Sequence, residues 1–476
     1  VKTLLFLLIV NLLLLPPQDQ AERLYDNAIT FMNAGKYKEA LADFDTIIKS
    51  FSDTDWAPKA LLELGTYYLD VVGDADQSLG YMNQLQANYP SSQQAPAAYY
   101  YRAVIASRVG NTRSDLEAAT ADLVRMGNLF PGNSWSGGSL FLFGSLSLRL
   151  DDYKQSLSHF QRLEFSEPGT SYLQQAWLLS AQAAFLDGQP HEATMILARL
   201  QARFPNGAES EVAASQLRLL DRIKDGQPVF GLDKTFFGST PKSFSNPASL
   251  LVSGDGTLAV TTSKNYHLVP LANPSQQKSD GKGDLEGFAL GPQGLLLMVY
   301  SNRVVSSDGK VAFKSLQFEG AALSNIKSAA MDDFERLYVV DSSARDVLVF
   351  SRNGSFIKSL NMNKAKAVSC YRGRALVLAA DGDNLRGFDA DLNPSNSPSY
   401  PTQSVNDFCF DYFGNLYVLQ GKGTLVNIYS AAGARLAEFN LRSGAYPLKQ
   451  AQALTVDASG SVYLADRRGG AIYRFH

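Results

Sequence analysis

Leu454-Thr455-Val456-Asp457 leads through Ala458-Ser459-Gly460-Ser461 into Val462-Tyr463-Leu464-Ala465-Asp466, and Arg467-Arg468-Gly469-Gly470 into Ala471-Ile472-Tyr473-Arg474-Phe475. Three apolar stretches of period two are separated by Asp, Ser and Gly turns, the pattern of a short antiparallel meander. The same arrangement occurs five more times upstream. Leu250-Leu251-Val252 precedes Leu258-Ala259-Val260, and Phe288-Ala289-Leu290 precedes Leu295-Leu296-Leu297. Ala329-Ala330-Met331 precedes Leu337-Tyr338-Val339, Val368-Ser369-Cys370 precedes Leu376-Val377-Leu378, and Phe408-Cys409-Phe410 precedes Leu416-Tyr417-Val418. A unit recurring every ~40 residues cannot bury its apolar face alone and must pack against its neighbours. The final segment ends after its third strand, at His476. Residues 228–237 have no segment of their own and are expected to supply the missing outer strand, which would close a ring and remove open sheet edges.

Upstream of Lys224-Asp225-Gly226-Gln227-Pro228 the period changes from 2 to 3.6. Leu24, Ala28 and Phe31 share one helix face; after Gly35-Lys36-Tyr37, Ala40, Phe44 and Ile47 share another. Later units end their second helices at Tyr89-Pro90, Phe130-Pro131, Pro168 and Phe204-Pro205, where proline stops the helix. Small residues stand at each expected crossing of two helices: Ala28, Gly65, Ala103, Gly144 and Ala181 on first helices, and Ala40, Ser78, Ser156 and Ala193 on second helices. Trp135-Ser136-Gly137-Gly138 reads as a linker that stretches the third interval, and Glu209 to Lys224 as a capping helix.

These small residues, the Gly-x-Tyr turn and the terminal prolines resemble the tetratricopeptide repeat, over about five repeats from 21 to 206. The Phe-Pro-Asn and Tyr-Pro-Ser endings are similar to those of periplasmic repeat proteins of the Tol-Pal and outer-membrane-assembly systems. The strand segments resemble six-bladed NHL-type propellers over residues 229–476. Together the resemblances imply a multidomain chain: an all-α solenoid over 21–226, then an all-β six-bladed propeller over 227–476. A tetratricopeptide groove holds peptides or partner helices. Here that face would include Tyr25, Ile29, Met32, Tyr68, Tyr100, Tyr101 and Ser107, and Tyr and Met suit an adaptable contact surface.

At 476 residues the chain exceeds one core, and its 45% hydrophobic and 19% charged content is that of a globular protein. A net charge of -3 divides into +4 from Pro228 onward and −7 before it. Neither value is a nucleic-acid footprint. Lys2 and the apolar run from Leu4 to Leu15, broken by Pro16-Pro17, have the form of a secretory signal over residues 1–20 and are too short to span a bilayer. Export to a bacterial periplasm or cell envelope is therefore expected, with at most peripheral membrane contact.

Catalytic signals are sparse. Asp341, Asp381 and Asp466 end second strands, where a carboxylate accepts hydrogen bonds from the following turn. Some related propellers are lyases or metal-dependent lactonases, whose sites need several converging ligands. The second half holds only His267 and His476. Gly281-Lys282-Gly283-Asp284 and Gly421-Lys422-Gly423-Thr424 lack phosphate-loop spacing and read as turns. Cys370 and Cys409, the two cysteines, fall one residue out of register in adjacent segments and are expected to remain free thiols. No catalytic residue, cofactor or metal is assigned. The expected function is a protein–protein interaction scaffold for envelope components; the alternative is a propeller enzyme of lyase or lactonase type with the solenoid as a targeting arm.

Overall fold

The structure is a computed structural model. It describes residues 16–476 except 111, 134, 224–229, 240–242, 292–293, 310–311, 363, 379–384, 397 and 443–445. The signal segment up to Leu15 and Asp381 lie outside the described residues. Two compact units form. The first runs to Gly110 and adds Ser114–Leu146 and Phe165–Glu167; the second contains Ser147–Glu164 and Pro168–His476. The switch from helices to strands thus falls inside the second unit.

The helices are α1 (Pro17–Asn33), α2 (Tyr37–Ser50), α3 (Trp56–Tyr67), α4 (Ala75–Asn88), α5 (Ala95–Val109), α6 (Arg113–Leu129), α7 (Ser136–Arg149), α8 (Tyr153–Ser166), α9 (Leu173–Leu186), α10 (Pro190–Arg203) and α11 (Ala208–Ile223). In the first unit each helix from α1 to α4 packs on the next. The small residues lie where helices cross: Ala28, Ala40, Ala103 and Ser78 are wholly buried. At position 65 a Cβ would come within 2.2 Å of Met82 Cε, and Ser78 Oγ donates to the Gly65 carbonyl at 2.7 Å. Helix α3 ends in a π turn, Tyr68–Val72, and Asp74 caps α4 by accepting the Gln77 N–H at 3.0 Å. The expected linker at Trp135–Gly138 is different. Helix α7 already begins at Ser136, whose hydroxyl donates to Glu167 at 2.9 Å, so two glycines did not prevent a helical first turn.

Among the described residues the strand half forms six antiparallel sheets arranged as blades of a propeller, and a seventh, two-stranded one (Gln317–Phe318 with Ala321–Ala322) between blades 2 and 3 in sequence. Blade 1 comprises Ser249–Val252, Thr257–Thr261, Asn265–Pro270 and Lys278–Gly281; blade 2, Leu285–Leu290, Leu296–Tyr300, Val304–Ser306 and Ala312–Phe313. Blade 3 comprises Ile326–Met331, Leu337–Asp341, Asp346–Phe350 and Phe356–Ser359; blade 4, Ala367–Tyr371, Arg374–Leu378, Leu385–Phe388 and Pro394–Ser395. Blade 5 comprises Asp407–Phe410, Leu416–Gln420, Leu425–Tyr429 and Arg435–Asn440; blade 6, Ala451–Val456, Val462–Asp466 and Ala471–Phe475. The six first strands touch in cyclic order, the first strand of blade 1 meeting that of blade 6. Apolar clusters fill the spaces between blades; Leu297, Val339 and Leu348 pack between blades 2 and 3, and Val418 and Phe408 between blades 4 and 5.

Blade 6 gains its outer edge from the segment after the helices. Leu232 bridges Phe475, Gly231 and His476 exchange N–H···O bonds at 2.8 and 3.0 Å, and Asp233 N–H donates to Arg474 O at 2.9 Å. The pairing spans Gly231–Asp233 rather than a full strand to residue 237, because a turn at Lys234-Thr235 diverts the chain into a 3-10 turn at Phe237–Ser239. Asp233 adds a buried ion pair with Arg474, Nε to Oδ2 at 2.9 Å. Burial opposes its ionisation, but hydrogen bonds from Thr235 and Arg474 outweigh that and hold the carboxyl at about 2.

Candidate functional site

Each blade turns between its first and second strands, and three of these turns are built alike. Asp332 accepts N–H groups from Phe334 and Arg336, and its other oxygen takes Arg336 Nε at 2.7 Å and Tyr338 Oη at 2.9 Å. Asp411 does the same with Phe413, Asn415 and the Asn415 amide, and Asp457 with Ser459, Ser461 and the Tyr463 hydroxyl. In all three a carboxylate at position i accepts the backbone N–H groups at i+2 and i+4; the i+4 side chain joins it at Asp332 and Asp411, and the i+6 tyrosine hydroxyl at Asp332 and Asp457. The spacing Asp-x3-polar-x-Tyr is the signal of these turns in the sequence. Asp341 and Asp466 play the expected turn-holding role at the other end of the second strand. Asp341 accepts from Ser343 and Ala344, and Asp466 from Lys449, Gln450 and Gly469.

Within the second unit the last helices sit on these turns, one blade after another. At blade 3, Arg149 donates to Asp333 O at 3.0 Å. At blade 4, Asp151 pairs with Arg374 at 3.0 Å and lies 3.4 Å from Arg372, while Tyr153 Oη donates to the same carboxylate. At blade 5, Gln182 donates to Tyr412 O at 3.1 Å and Phe185 meets Phe413 with ring centroids 4.5 Å apart. At blade 6, Arg222 reaches Ser461 Oγ at 3.3 Å and Leu219 abuts Gly460. Phe413 is wholly buried in the same apolar cluster as Trp177, Leu197 and Leu219. The helices thereby cover the turns of blades 3 to 6.

Cavities open along this face. Over blades 1 to 3, a groove of about 890 Å³ is lined by Asp255, Lys278, Asp308, Phe313, Glu335 and Arg352 among others. A second cavity of about 410 Å³ lies where the α7–α8 turn and the end of α9 meet blades 4 and 5, and includes Asp151, Tyr153, Leu186, Arg372 and Arg374. Arg372 occupies a two-residue hairpin with Gly373 in which both φ angles are positive, +50° and +70°, as a type I′ turn requires. Its guanidinium is buried, and Nη1 and Nη2 have no hydrogen-bond acceptor.

The seven residues expected to line the solenoid groove all fall in the first unit, but they do not form one cluster. Tyr25 packs on Phe44 and Trp56 and donates to Glu63 at 2.9 Å. Ile29 and Met32 pack against the same cluster. Tyr68 stacks on Tyr81, while Tyr100 and Tyr101 both pack on Trp135, a residue the sequence reading had treated as linker. Ser107 Oγ donates to Val104 O within its own helix. His267 bonds Ser279 in blade 1, and His476 lies beside Asp233. Cys370 and Cys409 are free and half-buried, and burial pushes both thiols up, inert as nucleophiles. Gly281–Asp284 and Gly421–Thr424 are turns. Among the described residues no three His, Cys, Asp or Glu side chains are placed to hold a metal ion, and no helix is long and apolar enough to cross a membrane.

Residues 171–207, which contain α9 and α10, match the tetratricopeptide-repeat family model. The N-terminal half is a helical repeat region with that one matched repeat, and the strand half is a six-bladed β-propeller. Among solved structures the chain is similar to the MamA protein, at 16% identity and a TM-score of 0.33 over 40% of this chain and 95% of that one. It is similar to virginiamycin B lyase from Staphylococcus aureus at 10% identity and a TM-score of 0.35, covering 50% and 82%. Regucalcin from Agrobacterium tumefaciens, a calcium-binding protein, gives 11% and 0.38, covering 50% and 90%. At those identities and scores no activity passes from them to this chain. No curated protein matches the sequence.

Proposed function

We propose that this protein is a non-enzymatic scaffold, exported to a bacterial periplasm or cell envelope, that holds envelope proteins or peptides. The observation that carries the reading is the division of surfaces within the propeller-containing unit. The chain's own helices occupy the turns of blades 3 to 6, while the groove of about 890 Å³ over blades 1 to 3 stays open. A surface of that size with mixed apolar and charged walls suits a protein segment. The half-buried tyrosines of the first unit, Tyr68, Tyr100 and Tyr101 with Tyr25, Ile29, Met32 and Ser107, form the second proposed contact surface. The apolar stretch from Leu4 to Leu15 supports export.

The test is photo-crosslinking in intact cells, with the reactive side chain placed at Lys278 or Glu335 in the groove, at Tyr68 or Tyr101 in the first unit, or at the exposed control position Glu117. Discrete adducts from the groove and the tyrosine sites, absent from the control, are expected. Adducts no more abundant than the control at every site would overturn the scaffold reading. A tagged chain that fractionates with the cytoplasm would overturn export.

A further inference from the structure

The cavity between the α7–α8 turn, the end of α9 and blades 4 and 5 has an electrostatic imbalance. Two guanidinium groups, Arg372 and Arg374, face it and share the Asp151 carboxylate; the field of Asp333 also acts on Arg372, whose guanidinium lies 5.3 Å from the Tyr153 ring centroid. Arg374 takes the closer contact at 3.0 Å, and Tyr153 Oη occupies the other oxygen. Asp389, also on the wall, is already committed to the N–H groups of Asp391 and Asn393 in its own turn. Arg372 is left with an ion pair at 3.4 Å and two terminal nitrogens without an acceptor, while its side chain is only 6% exposed.

A buried guanidinium without acceptors is costly, and a structural role alone would be served better by an apolar side chain. The remaining wall is apolar and aromatic, with Leu186, Phe388, Tyr400 and Phe410. A volume of about 410 Å³ lies in the range of small-molecule sites.

We propose that this cavity binds a small carboxylic acid with an aromatic or branched apolar body. The carboxylate supplies the acceptor that Arg372 lacks, with Arg374 as second donor, and the apolar body lies against the aromatic wall. A neutral ligand of the same shape would leave Arg372 unsatisfied, so charge is the discriminating feature. This site is separate from the open groove of the scaffold reading and does not depend on it.

The experiment is calorimetric titration of the full chain with 3-phenylpropionate and indole-3-acetate, each beside its primary amide. Saturable binding of at least one acid is expected, with its amide weaker by about ten- to hundredfold, the worth of a charge-assisted hydrogen bond. Arg374→Gln, at a half-exposed position, should weaken the acid about tenfold while leaving the thermal transition in place. Arg372→Met should abolish binding, with far-ultraviolet circular dichroism checking its fold. Equal binding of acid and amide, or no saturation by either acid with the unaltered chain, would overturn the proposal. So would acid affinity unchanged in a folded Arg374→Gln.

Discussion

Asp151 and Arg374, 223 positions apart in the sequence, meet at 3.0 Å and join the turn between α7 and α8 to the second strand of blade 4. The contact belongs to a series in which successive blades receive successive helical elements: Arg149 at blade 3, Asp151 at blade 4, Phe185 at blade 5 and Arg222 at blade 6. The propeller therefore does not end at its own sheets. Its turns at blades 3 to 6 are covered by the last helical elements of the same unit.

Asp151→Asn should destabilise the chain by about 2–4 kcal/mol, because the buried charge of Arg372 then loses its ion-pair partner. Arg374→Gln removes a half-exposed partner and should cost under about 1 kcal/mol. Urea unfolding of the two variants checks the order; equal costs would contradict it.

Asp332→Ala should cost about 3–5 kcal/mol, since Asp332 and Arg336 are both essentially fully buried and Arg336 would lose this ion pair. Asp457→Ala removes the same turn lock where the i+4 partner is a neutral serine, and should cost less. Thermal unfolding of both variants measures the difference.

Asp407 and Asp411 give the chain a pH dependence of defined sign. Burial pushes Asp407 up to about 7, although Leu454 and Phe408 N–H groups oppose it, and pushes Asp411 up to about 6 against its bonds from Asn415. Both folded values exceed the unfolded one near 3.8, so the folded state binds more protons between them. Their contribution is present at low pH and is lost as pH rises from about 4 to about 7. Asp407→Asn should flatten that decline. Denaturant midpoints at several pH values follow it, and an unchanged slope would count against it.

Gly423 tests the turn reading of Gly421–Thr424. Its φ is +78°, and a Cβ there would stand 2.0 Å from the Ala451 carbonyl oxygen, a backbone atom that cannot swing away. Gly423→Ala should cost over about 2 kcal/mol, combining left-handed strain and a clash. Gly421→Ala meets only the Thr424 hydroxyl, at 3.1 Å, and should cost about 1 kcal/mol. Thermal melts of the two variants decide it.

A fragment that starts at the helix-to-strand switch should behave poorly. Phe413 is wholly buried against α9–α11, and Tyr412 packs beside it, so removing the helices uncovers both. Light scattering of residues 227–476 should show self-association that the full chain lacks, and Phe413→Ser should reduce it.

Periodicity by itself determined both architectures. Period 3.6 with small residues at every crossing fixes a helix stack, since where Gly65 meets Met82 even a Cβ would stand 2.2 Å from the Met82 methyl. Period two with recurring turns fixes the blades. These are local patterns, carried by neighbouring residues. The tertiary structure decided what long-range packing controls. It shortened the closing pair to Gly231–Asp233, placed Trp135 among tyrosines, and set helices upon the blade turns. Phe334, Tyr412 and Phe413, apolar residues inside turns that should face water, were the one local trace of that covering layer. The pairing of Asp151 with two arginines over two hundred positions away left no local trace, because neither the spacing nor the residue types of a distant ion pair repeat.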